Sequence, residues 1–242
     1  MHYKEHILND YYEKKKRKSA ILSLKEILVI ITGLTITNAV IVLIAKGNYQ
    51  AIKPIYQLNI QEIIIFILLI LNIVRFYHGN MRLLDDSYLL KESTYLKTGE
   101  CELDDRVNYI FWDYFVILLT GIMFAFMSFF LSSYLDFFLI FITILIIDVA
   151  WYFFTNKDTL DSKIKTQRKF WTLNNVAHLF ILIPLITVSL IASDEIMINI
   201  QNRISLFYVL TFLTFTNAIA DFYVSWEFYF PSKCKDEEEK ET

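Results

Sequence analysis

The sequence predicts an all-α fold, a polytopic membrane bundle of six transmembrane helices with both termini in the cytoplasm. Three observations carry that expectation. Six runs of about 18 to 25 mainly apolar residues follow one another, each long enough to cross a hydrocarbon layer of about 30 Å as a helix. The composition, 55% hydrophobic and 17% aromatic with only five glycines and three prolines, is too apolar for an ordinary soluble domain and too poor in Gly and Pro for a disordered one. Basic residues gather on alternate connections: of the 23 in the chain, only Lys46, Lys53 and Arg203 fall on the side opposite the termini. That is the asymmetry of the positive-inside rule.

Residues 1–25 form a basic cytoplasmic segment containing KKKRK at residues 14–18, a topology determinant that also touches anionic lipid. The apolar run that follows is too long for a cleavable signal, so an uncleaved first helix is expected over 26–45. The remaining helices of the transmembrane domain, 26–230, are expected over 58–77, 109–131, 135–154, 171–192 and 204–228. Strands of a membrane barrel alternate over about 10 residues, and these runs do not. The long cytoplasmic loop, 79–108, contains LLDDSYLLKESTYLK, a candidate amphipathic helix at the membrane surface. The charged tail, 231–242, reads as solvated. Val29–Leu34 (VIITGL) and Ile117–Ile122 (ILLTGI) are alike enough to suggest three repeated hairpins, although apolar segments also align by chance.

Trp112, Trp151, Trp171 and Trp226 all fall at the cytoplasmic interface under this assignment, as an aromatic belt would place them. Cys101 and Cys234 sit in cytoplasmic segments with no CxxC and no nearby His. Reduced thiols are expected, with no metal and no cofactor.

The second helix ends in NIVRFYHGN, residues 72–80. Asn72, Arg75, His78, Gly79 and Arg82 form one polar stripe at 100° per residue, and Asp86 extends it if Gly79 does not break the helix. Arg75 admits two readings, an interface anchor that snorkels or half of a buried ion pair. Asp148 and His178 lie about 4 to 6 Å from the midplane on the cytoplasmic side, with Asp221 further out. Ionisable groups at depth face the bundle interior and find one another. A polar cluster of Arg75, Asp148, His178 and Asp221, with Asn72, Asn174 and Asn217 as hydrogen-bonding neighbours, is the expected ligand or ion pathway. His178 also has the plain alternative of a neutral ring bonded to a backbone carbonyl. Asp113, beside Trp112, reads as a favourable contact with the dipole of a helix start.

No catalytic residues emerge. Of the four histidines only His178 is deep, which leaves a metal hydrolase without ligands, and no GxxxxGK phosphate loop is present. A channel-like or transport-type protein is the first expectation. A membrane effector or receptor subunit controlled by a cytoplasmic protein partner is the second, and an intramembrane enzyme the third. The plasma (inner) membrane is the expected location. The bilayer, its anionic lipids and further copies of the chain in a homo-oligomer are the expected partners, with no nucleic acid.

Overall fold

The computed structural model describes residues 2–46, 51–52, 58–85, 107–155, 162–195 and 200–229. The amphipathic helix expected in the long loop, both cysteines, Asp86 and the tail 231–242 lie outside the described residues. Helix α1 (His2–Ile44) leads to β1 (Ala45–Lys46), which pairs antiparallel with β2 (Ala51–Ile52). Next come α2 (Ile60–Leu84) and α3 (Val107–Met127), the latter tightening into a 3-10 turn at Ser128–Phe130. Helices α4 (Tyr134–Thr155), α5 (Ser162–Glu195), α6 (Ile200–Val224) and the single turn α7 (Trp226–Tyr229) complete the chain.

Six of these helices are long and apolar enough to cross a membrane, and they give the chain the build of a multi-pass membrane protein. No more than 39% of the most apolar stretch of any span is buried within the bundle. The rest faces outward, where Phe153, Phe154, Phe180, Phe212 and Tyr223 are well exposed. An apolar outer surface with all backbone polar groups closed inside helices is what a hydrocarbon solvent requires.

Three helices exceed their expected length. The basic segment 1–25 is not separate from the first span: α1 runs through it as one helix of 43 residues, about 64 Å long. Helix α5 starts at Ser162 rather than 171. In both, the added turns mix many Lys and Arg with scattered apolar residues, so no continuous apolar run marks them as helix. Helix α2 also passes through Gly79 to Leu84. At its start, Asn59 accepts a hydrogen bond from the Gln61 backbone N–H at 2.9 Å, and Glu62 lies in the first turn, both favourable at a helix N-terminus.

The spans close a ring in the order α1, α3, α4, α5, α6, α2 and back to α1, with α2 also touching α3 across the middle. Apolar packing falls into two clusters. One joins Leu69, Ile73, Phe124, Phe137, Phe138, Phe141, Leu182 and Phe207, and the other joins Leu24, Leu28, Leu83, Leu84, Ile117 and Trp151. Along α2 the first ends at Ile73 and the second begins at Leu83, and the polar residues lie between.

Candidate functional site

Helix α2 supplies Arg75 and α6 supplies Asp221. Their side chains are 12% and 2% exposed, and Arg75 Nε donates to Asp221 Oδ2 at 2.5 Å. Of the two readings of Arg75, the structure shows the ion pair and not the snorkelling anchor. Its other nitrogens are also engaged. Nη1 donates to Asn217 Oδ1, and Nη2 to Asn175 Oδ1 at 3.1 Å. The same Asn175 turns its Nδ2 to Asp148 Oδ2 at 2.5 Å. One carboxamide therefore bridges the guanidinium on α2 to the second carboxylate on α4, and four helices meet at a single centre.

Asp221 is satisfied on both oxygens. Besides Arg75, its Oδ2 accepts from the Tyr229 hydroxyl at 2.8 Å, and its Oδ1 accepts from Ser225 Oγ at 3.0 Å. Ser225 in turn accepts from Trp171 Nε1 at 2.9 Å and from Gln167 Nε2. One donor and two acceptors are the full capacity of a hydroxyl, so this residue couples α5 to Asp221 with nothing left over. Burial, reinforced by the neighbouring Asp221 carboxylate, pushes the Tyr229 phenol well above the ordinary tyrosine range and keeps it a donor. Tyr229 lies against α2 at Gly79, where an added Cβ would come within 3.4 Å of its hydroxyl.

A cavity of about 60 Å³ adjoins this centre, lined by Asn72, Arg75, Asn80, Thr120, Asp148, Asp221 and Tyr229 together with Phe124, Phe141, Ile144 and Leu145. A second recess of about 460 Å³ opens between α1 and α2 near the Lys25–Asp85 ion pair, and Tyr229 lines that one also. Charged side chains line both: Arg75, Asp148 and Asp221 the small cavity, and Lys25, Glu26, Arg82 and Asp85 the large recess.

The predicted residues divide. Arg75, Asp148, Asn217 and Asp221 meet, and Asn72 joins the cavity wall. Asn174 does not reach the charges: its Nδ2 donates to Asn217 O at 3.1 Å. His178 stays outside the cluster, with Nδ1 2.8 Å from Asn174 O on its own helix. The stripe on α2 splits, His78 and Arg82 facing the larger recess while Asn72, Arg75 and Gly79 face the cavity. Asp113 is not a helix-start contact either. Helix α3 begins at Val107, which puts Asp113 beyond the first turn, and it is buried, accepting from Trp151 Nε1 at 2.7 Å. Two of the four belt tryptophans are thus interior donors, Trp151 to Asp113 and Trp171 to Ser225, while Trp112 and Trp226 are exposed. Arg168 stacks over the Trp151 ring at 5.0 Å from its centroid.

Sequence reasoning missed Asn175 as the bridge and Tyr229 altogether. A signal for Tyr229 existed, since Asp221, Ser225 and Tyr229 recur at intervals of four. Tyr229 N donates to Ser225 O at 2.8 Å, so the helical spacing survives the break at Ser225. Among the described residues no group of three His, Cys, Asp or Glu could hold a metal ion. No protein-family model, curated protein or solved structure matches the chain.

Proposed function

We propose that the chain is a channel-like or transport-type membrane protein whose working part is the centre formed by Arg75, Asp148 and Asp221. One observation carries this reading: an ion pair and a second carboxylate are linked through Asn175 and held among four helices beside a cavity of mixed polar and apolar lining. Each charged group at the middle of a span costs about 2.5–3.5 kcal/mol on insertion scales, and such groups mark substrate or ion pathways. Beyond the charges the wall turns apolar at Phe124, Phe141, Ile144 and Leu145, the lining of a constriction that conducts only when wetted. In the same reading the basic end of α1 lies in the cytoplasm and both termini are on that side, as the lysine and arginine distribution requires.

A second reading, an effector controlled by a cytoplasmic partner, draws on α1. At about 64 Å it is twice the hydrocarbon thickness, so it projects well beyond the bundle and offers a handle. Flux measured on purified protein in liposomes separates the two. Transport predicts ion flux from the protein alone, lost in Asp148→Asn. Silence that ends only when a cytoplasmic fraction is added supports the effector, and silence under both conditions refutes both.

A further inference from the structure

Three neutral polar side chains in the lining of the small cavity share one habit. Asn72 gives its Nδ2 to Leu68 O at 2.9 Å, Asn80 gives its Nδ2 to Phe76 O at 2.8 Å, and Thr120 gives its hydroxyl to Val116 O at 2.9 Å. In each case the donor is turned back four residues onto its own helix. Each carboxamide keeps its oxygen and one N–H, and the Thr120 hydroxyl keeps its lone pairs, to offer to the cavity. The three side chains are 2%, 7% and 5% exposed, and among the described residues the Oδ1 atoms of Asn72 and Asn80 accept no hydrogen bond. These oxygens are not sealed in protein, so what fills the cavity can satisfy them.

The other donors at the wall are already committed. Tyr229 serves Asp221, Trp151 serves Asp113, Trp171 serves Ser225, and all three nitrogens of Arg75 are engaged by protein oxygens. Arg75, the cation that lines the cavity, is already paired with Asp221, which disfavours an anion. The charge balance points the same way. Arg75 compensates Asp221, while among the described residues Asp148 receives only the neutral amide of Asn175 and makes no direct ion pair. Among the described residues Asp148 is thus the cavity carboxylate without a direct cationic partner.

We propose that the cavity is a binding site for one monovalent alkali cation, held by Asp148 with the oxygens of Asn72, Asn80 and Thr120. The inference rests on the transport reading above and names what that centre takes. Carboxylate, carbonyl and hydroxyl oxygens are the ligands of hard cations. A single charge matches Asp148, where a divalent ion would overshoot. A volume of about 60 Å³ is roughly twice the share of one water in the liquid, enough for an ion that keeps one water. Tyr229 lines both this cavity and the larger recess.

The test uses the full chain in lipid nanodiscs. Its thermal unfolding midpoint is followed as NaCl or KCl replaces N-methyl-D-glucamine chloride at constant ionic strength, at several pH values. The site predicts a saturable rise in midpoint with Na⁺ or K⁺, because a ligand that binds only the folded state stabilises it by mass action. Asp148→Asn and Asn72→Leu then weaken the apparent affinity by about tenfold or more, equivalent to about 1.4 kcal/mol. Thr120→Val, which keeps the shape and removes one oxygen, weakens it less and guards against misfolding of the other two. No alkali-specific rise overturns the proposal, as does a rise unaltered in all three variants. A rise set by pH alone also overturns it, because it assigns a proton to Asp148 in place of a metal ion. Saturable binding without liposome flux leaves the site standing and refutes transport, whereas flux without binding refutes the site alone.

Discussion

The bundle holds itself together differently at its two ends. Toward the β1–β2 turn, contact between spans is almost wholly apolar: Leu68, Leu69, Phe124, Met127, Phe137, Phe138, Leu182 and Phe207 interlock with little exposure, and Asn38 donates to Ser128 Oγ at 2.7 Å as an isolated cross-link. Toward α7, discrete bonds join α2, α4, α5 and α6 through Arg75, Asn175, Asp148 and Asp221. In lipid the hydrophobic effect does not drive one helix against another, so the first end relies on shape and the second on specific partners. Shape tolerates substitution by a side chain of similar volume. A partnered charge does not tolerate losing its partner.

That contrast can be broken or sharpened by substitution. The largest loss is expected from Asp221→Leu, which leaves the Arg75 guanidinium buried without its counter-ion and costs about 3–5 kcal/mol. Unfolding in detergent or nanodiscs measures it, and a near-neutral result would place Arg75 in a wet or lipid-facing position. Asn175→Leu is expected to cost about 1–3 kcal/mol, since it strips a hydrogen bond from both Arg75 and Asp148 and leaves them facing each other without a bridge. At the apolar end, Leu182→Met conserves volume at a fully buried position and is expected to cost under about 1.5 kcal/mol by the same measurement. A loss as large as that of Asn175→Leu would erase the distinction between the ends.

The smallest effect concerns alkaline pH. The Tyr229 phenol is raised by burial and by Asp221 beside it. Above about pH 10 the unfolded chain loses this proton while the folded chain keeps it, so stability is fully present below that range and declines above it. Tyr229→Phe is expected to make the alkaline decline shallower than in the parent protein. An unchanged slope would mean that the phenol titrates in the folded state as it does in the unfolded one.

The spans were legible in the sequence because twenty apolar residues in a row leave few alternatives. The extensions of α1 and α5 were not, because turns that mix lysine and arginine with scattered apolar residues look the same whether helical or coiled. Depth singled out Arg75, Asp148 and Asp221, since each is expensive where it stands and must be compensated. The choice between Asn174 and Asn175 could not be made that way. Adjacent residues point about 100° apart, and which of them meets α2 depends on how α5 is rotated in the ring, a property of six helices together. His178 follows Asn174 by one turn and so shares its fate, bonded to that residue's carbonyl. Tyr229 was hidden by position: it stands past the last span, in an aromatic run that reads as a membrane-interface belt.

The most direct test is a double-mutant cycle on the pair that ties α2 to α6. Arg75→Leu and Asp221→Leu are each made alone and then together, and unfolding stability is measured in nanodiscs. If the two charges exist to compensate each other, each single variant is strongly destabilised while the double variant recovers most of the loss, because replacing both members of a buried pair by apolar groups is often near neutral. If the two single losses simply add, the charges do not depend on each other and the centre described here is not a unit.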